Sequence, residues 1–260
     1  MFLIAFILGA IFGSFMNVLI YRLPRSISIL FPGSNCPSCG KTIKFYENIP
    51  ILSYLFLKGR CSSCNTKISI TYPVVELFTA IFFTLIYLKF GVSLLTLSML
   101  TFVFFILTAG FTDLFTAFDK DRFECGVIPS VILYGGIILG LLFSFFNGLG
   151  FLNSLAGAFL GYISLFLPSF IYKLWRKVEG MGDGDMYLMG MVGAFLGIKS
   201  IFPVIFFASF IGALIGLIII KIYRDKNFPI PFGPFITLSS LFYIFYGERL
   251  MDSYLNMLRH

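Results

Sequence analysis

The chain has 260 residues, of which 58% are apolar and 12% charged, and its mean hydropathy is +0.96. Soluble domains are closer to half apolar and a quarter charged, so this composition excludes a water-soluble globule, a disordered chain and a small disulfide-stabilised protein. Nineteen Lys and Arg against twelve Asp and Glu give a net charge of +7. In a membrane protein, this excess is expected in cytoplasmic loops and does not indicate nucleic-acid binding.

Apolar segments of membrane-spanning length follow one another along the chain. The first, residues 2–21, lacks a basic start and a small-residue cleavage site, so it predicts a retained helix and not a signal peptide. The others are 74–90, 92–112, 126–147, 149–172, 186–198, 201–222 and 229–247. The short segment 186–198 is predicted to be tilted or extended through its flanks. The sequence therefore predicts an all-α polytopic membrane protein with about eight transmembrane helices.

Lys and Arg are unevenly distributed between these segments. In an eight-helix arrangement, fifteen of the nineteen fall on one side of the membrane and four on the other. Because cytoplasmic loops are enriched in Lys and Arg, the first side is predicted to be cytoplasmic and both termini to lie outside. Three domains are predicted: a first transmembrane helix (1–21), a cytoplasmic loop of soluble-domain composition (22–73), and a transmembrane core (74–260).

The predicted loop contains two C-x2-C pairs separated by 21 residues: Cys36 with Cys39, and Cys61 with Cys64. Two-residue spacing lets both thiolates of a pair bind one metal ion, and two pairs complete a tetrahedral four-sulfur site that suits Zn²⁺. Such a closed site is structural, because no position stays open for water. The alternative, disulfides or redox thiols, is disfavoured on a reducing cytoplasmic side. Cys125 is a fifth, unpaired thiol and is interpreted as a bystander.

Carboxylates are the candidates for acid–base chemistry, because the only histidine is His260. Asp113 ends the third apolar segment, and Asp185 closes a Gly-Asp-Gly-Asp sequence that starts at Gly182 and precedes the short segment. Ionisable groups at membrane depth are costly, so they are functional candidates. Two carboxylates in unlike surroundings can share a water as acid and base, as in aspartic proteases. The alternatives are a polar helix end for Asp113 and a plain interhelical turn for the Gly-Asp-Gly-Asp sequence.

Together these motifs resemble the type IV prepilin peptidases, which belong to the Gly-x-Gly-Asp class of intramembrane aspartic proteases. The resemblance is carried by the two cysteine pairs, the Gly-Asp-Gly-Asp sequence, and residues 13–24, 46–54, 72–76 and 231–235. In this family the second catalytic aspartate ends the Gly-x-Gly-Asp motif, so the resemblance implies Asp185. The residue two positions later is usually Lys, but it is Tyr187 in this chain.

The first catalytic aspartate is predicted to be Asp113, with Asp119 and Asp121 as alternatives. The family typically has Asp-Leu shortly before Ile-Pro-Asp. Here Asp113 is followed by Leu, but Ile-Pro comes late and Ser130 replaces the final Asp. Asp113 is preferred because it adjoins an apolar helix, and residues 115–126 are interpreted as a local insertion. Asp119, Asp121 and Glu124 are interpreted as a solvated loop.

The resemblance implies an enzyme with two activities in the bacterial cytoplasmic (inner) membrane. Asp113 and Asp185 would cleave the basic leader of type IV prepilins or pseudopilins at the cytoplasmic face. The new N-terminus would then be methylated from S-adenosylmethionine, with loop 22–73 as the seat of this activity and the donor's site unknown. The expected partners are these substrates and the lipid bilayer, with no nucleic acid. The alternatives are a polytopic transporter, which leaves the cysteine pairs unexplained, and a membrane-anchored zinc-ribbon interaction protein, which leaves the aspartate motifs unused.

Overall fold

The computed structural model describes residues 1–178, 180–223 and 230–258. The regular secondary structure of these residues is helical, with no β-strand. The helices are α1 (Phe2–Arg22), α2 (Leu52–Phe56), α3 (Thr71–Phe90), α4 (Leu94–Phe118), α5 (Ser130–Phe143), α6 (Phe151–Arg176), α7 (Asp183–Leu196), α8 (Ile201–Tyr223) and α9 (Gly233–Leu258). All but the short α2 coincide with the eight predicted apolar segments. The prediction of an all-α membrane protein is confirmed.

Five stretches of the described chain are long and apolar enough to cross a membrane: Phe2–Arg25, Thr71–Phe90, Leu94–Phe118, Phe151–Arg176 and Ile198–Ile218. The helix α5 is apolar but shorter, and α7 has only 14 residues. At 1.5 Å per residue, a helix of that length spans about 21 Å, less than the hydrocarbon core of a bilayer. Segment 186–198 was predicted to be tilted or extended through its flanks. The helix α7 adds three residues, 183–185, at the N-terminal end of that segment.

Several predicted helix ends are wrong. The fourth segment was expected over 126–147, but α5 begins at Ser130 because Pro129 precedes it in an extended conformation. The third was expected to end at residue 112, but α4 continues through Phe118. Buried threonines at 112 and 116 hydrogen-bond to carbonyl groups one turn earlier in the helix and so satisfy their hydroxyls inside it. The last segment was expected over 229–247, and residue 229 lies outside the described part.

The chain divides into two compact units, residues 1–104 and 105–260, with the division inside α4. The predicted domain limits of 21 and 73 stay a prediction. In the first unit α1 packs along α3. A Cβ atom added at Gly9 would lie 2.6 Å from Ala80 Cα, and one at Gly13 would lie 2.7 Å from Glu76 Cα. Glycine therefore allows these two backbones to approach more closely than any other residue would.

In the second unit α7 is the most enclosed helix. Ten of the eleven residues from Asp185 to Phe195 are buried, and the exception is Tyr187. A Cβ atom added at Gly193 would overlap the backbone of Gly157 in α6, and one at Gly161 would lie 2.5 Å from the Met189 carbonyl oxygen. A helix that is apolar all round is stable only when neighbours cover every side. The helix that carries the Gly-Asp-Gly-Asp sequence is therefore held on a rigid support.

Candidate active site and metal centre

Asp113 lies within α4 and is only 5% exposed. Its Oδ2 atom accepts a hydrogen bond of 2.9 Å from the backbone N–H of Gly233, the first residue of α9. The first N–H groups of a helix have no partner inside the helix, and the positive end of the helix dipole favours an anion. The start of α9 therefore provides a favourable position for the negative charge of Asp113.

A second glycine covers the other oxygen of Asp113. A Cβ atom added at Gly126 would overlap Asp113 Oδ1, and one at Gly233 would lie 2.6 Å from Oδ2. The backbone beside Gly126 is fixed because Val127 donates its N–H to the Thr116 hydroxyl oxygen, at 2.8 Å. The Asp113 carboxylate is thus held between two stretches of backbone that approach closely because they lack side chains.

Asp185 is the third residue of α7 and is 9% exposed. Its Oδ1 atom is buried and accepts no hydrogen bond from the part of the chain that the structure describes. The carboxylates of Asp113 and Asp185 are close enough to interact electrostatically. A buried carboxylate oxygen without a donor is costly for stability, so its position beside another carboxylate points to function.

The residues around Asp185 have unlike surroundings. Asp183 is exposed at the start of α7. Ile128 packs beside Gly184, so the late Ile-Pro pair does reach this motif. Tyr187 contacts two other rings, with centroids 5.2 Å from Tyr134 and 4.9 Å from Tyr162. An aromatic cluster therefore stands where the family usually has Lys.

The four cysteines of the two C-x2-C pairs come together in the first unit. Their Sγ atoms all lie within 4.8 Å of one another, and those of Cys36 and Cys64 are 3.8 Å apart. In a tetrahedral site with Zn–S bonds of about 2.3 Å, neighbouring sulfurs are about 3.8 Å apart. The cluster could therefore hold a metal ion, and its dimensions suit Zn²⁺.

Both cysteine pairs have the same local backbone. Cys36 donates its N–H to the Lys41 carbonyl and accepts from the Gly40 N–H, and Cys61 does the same with Thr66 and Asn65, all at 2.9 or 3.0 Å. Gly40 and Asn65 have φ of 70° and 56°, which glycine and asparagine adopt most readily. The turn residues next to each pair thus let both sulfurs face the same point.

The surroundings of the cysteines favour metal binding. The Thr66 hydroxyl and backbone N–H lower the pKa of Cys64 to about 6, which favours the metal-binding thiolate. The Lys41 ammonium donates a 2.8 Å hydrogen bond to the Ser62 hydroxyl oxygen, and the Ser62 hydroxyl in turn bonds the Glu47 carboxylate. These bonds link the first cysteine pair to the second.

Comparison with known proteins identifies the family. Residues 7–90 match the Bacterial Peptidase A24 N-terminal domain, and residues 100–217 match the Type IV leader peptidase family. A prepilin leader peptidase/N-methyltransferase of Neisseria gonorrhoeae is 36% identical in an alignment that covers 91% of this chain and 87% of that protein. One of Bacillus subtilis (strain 168) is 34% identical over 98% of both chains. No solved structure matches the chain.

The chain belongs to the prepilin leader peptidase/N-methyltransferase family.

Membership of this family confirms the resemblance inferred from the motifs, and with it the prediction of a protease with methyltransferase activity. The assignment of the first catalytic aspartate of the peptidase stays a prediction. Asp121 and Glu124 are exposed and Asp119 is partly exposed, in the loop after α4. Among the described residues, Asp113 is the charged group that acts electrostatically on Asp185.

Three residues around the candidate active site were not predicted from the sequence. Gly233 lies in the segment 231–235 that carried the resemblance, but nothing in that segment indicated a contact with Asp113. Gly126 and Thr116 flank a polar loop without periodicity, so no pattern marked them. Gly126 and Gly233 act through close backbone approach and Thr116 through a hydroxyl that accepts the Val127 N–H, and spacing along the chain reveals neither.

Proposed function

We propose that Asp113 and Asp185 are the catalytic dyad that cleaves the leader of type IV prepilins or pseudopilins. The observation that carries this proposal is the pair of buried, electrostatically interacting carboxylates, Asp113 within α4 facing the start of α9 and Asp185 at the start of α7. Buried carboxylates without counter-charges are rarely retained for stability alone. Hydrolysis of a peptide bond by two aspartates requires this arrangement of one base and one acid around a water.

The two carboxylates are unequal, and this difference assigns their roles. Asp113 accepts the Gly233 N–H, which stabilises its anion, so it is the base that takes a proton from the attacking water. Asp185 has an oxygen without a donor from the described chain, so it is the acid of the pair. The water oxygen bonds to the scissile carbonyl carbon, the C–N bond breaks, and a proton passes to the leaving amine.

The four cysteines would hold Zn²⁺ as a structural ion. Bound there, the ion supplies a closed tetrahedral cross-link between the two cysteine pairs, with no position for a reacting water. Such a cross-link stabilises a loop too short to form a core of its own. The methyl donor is S-adenosylmethionine, as the names of the relatives imply. When bound, it would supply the methyl group to the new N-terminal amine, which loses a proton, and would leave as S-adenosylhomocysteine; loop 22–73 is the proposed seat of this step.

The proposed location is the bacterial inner membrane, with the loop and both aspartates on the cytoplasmic side. The distribution of Lys and Arg supports this sidedness, because fifteen of nineteen fall on that side in the eight-helix arrangement. Two of the fifteen, Arg224 and Lys226, lie outside the described residues.

Alanine variants test the dyad. Asp113→Ala and Asp185→Ala should each lower the rate of leader release from a synthetic prepilin by about 100-fold or more, the contribution of a general acid or base. Asp121→Ala, at an exposed carboxylate, serves as the matched control and should cleave at the wild-type rate. Cleavage by Asp113→Ala together with loss of cleavage in Asp121→Ala or Asp119→Ala would show the dyad to be wrong.

A further inference from the structure

The loop between the two cysteine pairs contains a strained turn. Ile51 has φ of 63° and ψ of −51°, and the Leu52 N–H donates a 2.6 Å hydrogen bond to the Pro50 carbonyl. This is a three-residue γ-turn of the rare form with positive φ. Such a conformation is unfavourable for most residues and especially for a β-branched one. Strain of this kind persists only where the surroundings enforce it, and it clusters at functional sites.

The group that enforces the turn is Glu76. This residue of α3 is 7% exposed, and its Oε2 atom accepts the backbone N–H of Ile51 at 2.7 Å. The turn's own hydrogen bond uses the Pro50 carbonyl and the Leu52 N–H, so it leaves the Ile51 N–H available for this contact. A hydrogen bond from an amide to a carboxylate is charge-assisted and stronger than one between neutral groups.

The carboxylate is itself fixed by the membrane helices of the first unit. The side chain of Ser14 in α1 hydrogen-bonds the same carboxylate. Gly13 lets α1 approach Glu76 so closely that an added Cβ atom would lie 2.7 Å from Glu76 Cα. One buried acid therefore connects α1, α3 and the segment between Cys39 and Cys61.

We propose that Glu76 is a positioning residue for methyl transfer, which acts by holding Ile51 in its strained turn. This fixes the segment between the cysteine pairs against α1 and α3, within the loop proposed as the seat of methyl transfer. The proposal rests on the proposed role of loop 22–73 in methylation. Neither Asp113 nor Asp185 is involved, so leader cleavage should not depend on Glu76.

The test uses the full-length protein, S-adenosylmethionine and a pre-cleaved peptide with N-terminal Phe, with leader cleavage measured in parallel. Glu76→Ala should lower kcat for methylation by about 10-fold to 100-fold, the effect of losing a hydrogen bond to a charged group. Cleavage should be unchanged. Glu76→Gln keeps an oxygen acceptor and should restore methylation to within about threefold of wild type.

A second substitution separates the turn from general packing. Glycine adopts positive φ without cost, so Ile51→Gly combined with Glu76→Ala should recover a large part of the lost methylation rate. Thr79→Ala is the matched control, because Thr79 is buried one turn further along α3 and bonds the Val75 carbonyl of its own helix. It should leave both activities unchanged.

Two results would overturn the inference: wild-type methylation by Glu76→Ala, or a loss in Glu76→Gln as large as in Glu76→Ala. The latter would mean that the charge is required and not the hydrogen bond. Cys61→Ser distinguishes failure of the inference from failure of the proposed function. If that variant loses methylation while Glu76→Ala keeps it, the positioning role is wrong. If Cys61→Ser also keeps methylation, the loop is not its seat.

Discussion

Substitution of Gly233 by alanine isolates the contact that fixes the first proposed catalytic aspartate. The new Cβ atom would lie 2.6 Å from Asp113 Oδ2 and 3.2 Å from its Cβ and Cγ atoms. Since the Gly233 backbone does not require positive φ, the carboxylate has to move and its 2.9 Å hydrogen bond is lost.

The expected size of the effect follows from that hydrogen bond. A bond to a charged group contributes about 1.5–3 kcal/mol, and about 1.4 kcal/mol corresponds to a tenfold change in rate. We therefore expect kcat for leader cleavage to fall about 10-fold to 100-fold. Alanine is at least as favourable as glycine in a helix, so any fall in the melting temperature comes from the lost hydrogen bond, and the variant should still be folded at the assay temperature.

The assay is leader release from a synthetic prepilin by purified protein, with melting temperature measured on the same samples. Gly216→Ala is the matched control: among the residues that the structure describes, its added Cβ atom meets the end of the Ile230 side chain alone, at 3.3 Å. That variant should cleave like wild type. Undiminished cleavage by a folded Gly233→Ala variant would refute the role assigned to the Gly233 contact.

Two further predictions concern the cysteine loop. Elemental analysis should find about one zinc ion per chain. Chelation of this ion should abolish methylation while leader cleavage persists. Parallel loss of both activities would contradict a purely structural ion whose effect is confined to the first unit. Glu47→Gln removes a carboxylate whose pKa the Ser62 hydroxyl and Lys44 N–H hold below its usual value of 4.5. A lowered pKa stabilises the fold at pH values above the unfolded-state pKa, and this contribution disappears as the pH falls through the lowered value. The loop of the Glu47→Gln variant should therefore be cut by protease faster than the wild-type loop at about pH 7, but not in acid. A difference that grows in acid would contradict this.

The helices were predictable because each is encoded locally. Apolar runs marked eight of the nine α-helices of the described chain, five of them long enough to cross a membrane, and local spacing marked both cysteine pairs. The helix ends were less predictable, since they depend on single residues. Pro129 delays the start of α5, and α4 continues past Asp113 to Phe118, with the Thr116 hydroxyl bonded inside the helix. Asp113 is therefore buried inside a helix and not at its end.

The contacts of Gly126 and Gly233 with the Asp113 carboxylate could not be predicted, because the Gly233 contact joins distant parts of the chain. Gly233 is 120 residues from Asp113, and its contact depends on where α9 begins relative to α4. The same limit applies to Glu76, which is 25 residues from the turn that it holds. In both cases the chemistry lies in a backbone N–H, a group that every residue except proline has, so residue types alone give no signal.

The glycine contacts between α6 and α7 have a consequence for how a substrate reaches the enzyme. At Gly157 and Gly193 the two backbones touch, and the Ser154 hydroxyl donates a hydrogen bond across to the Ala194 carbonyl. Parting these helices would break that bond, leave the Ser154 hydroxyl without its acceptor and remove the close backbone packing, which is unfavourable. The contact between α6 and α7 is therefore closed to a substrate helix. A hydrophobic substrate helix has to approach Asp185 from another direction. The α6–α7 contact thus restricts the routes by which a substrate can enter.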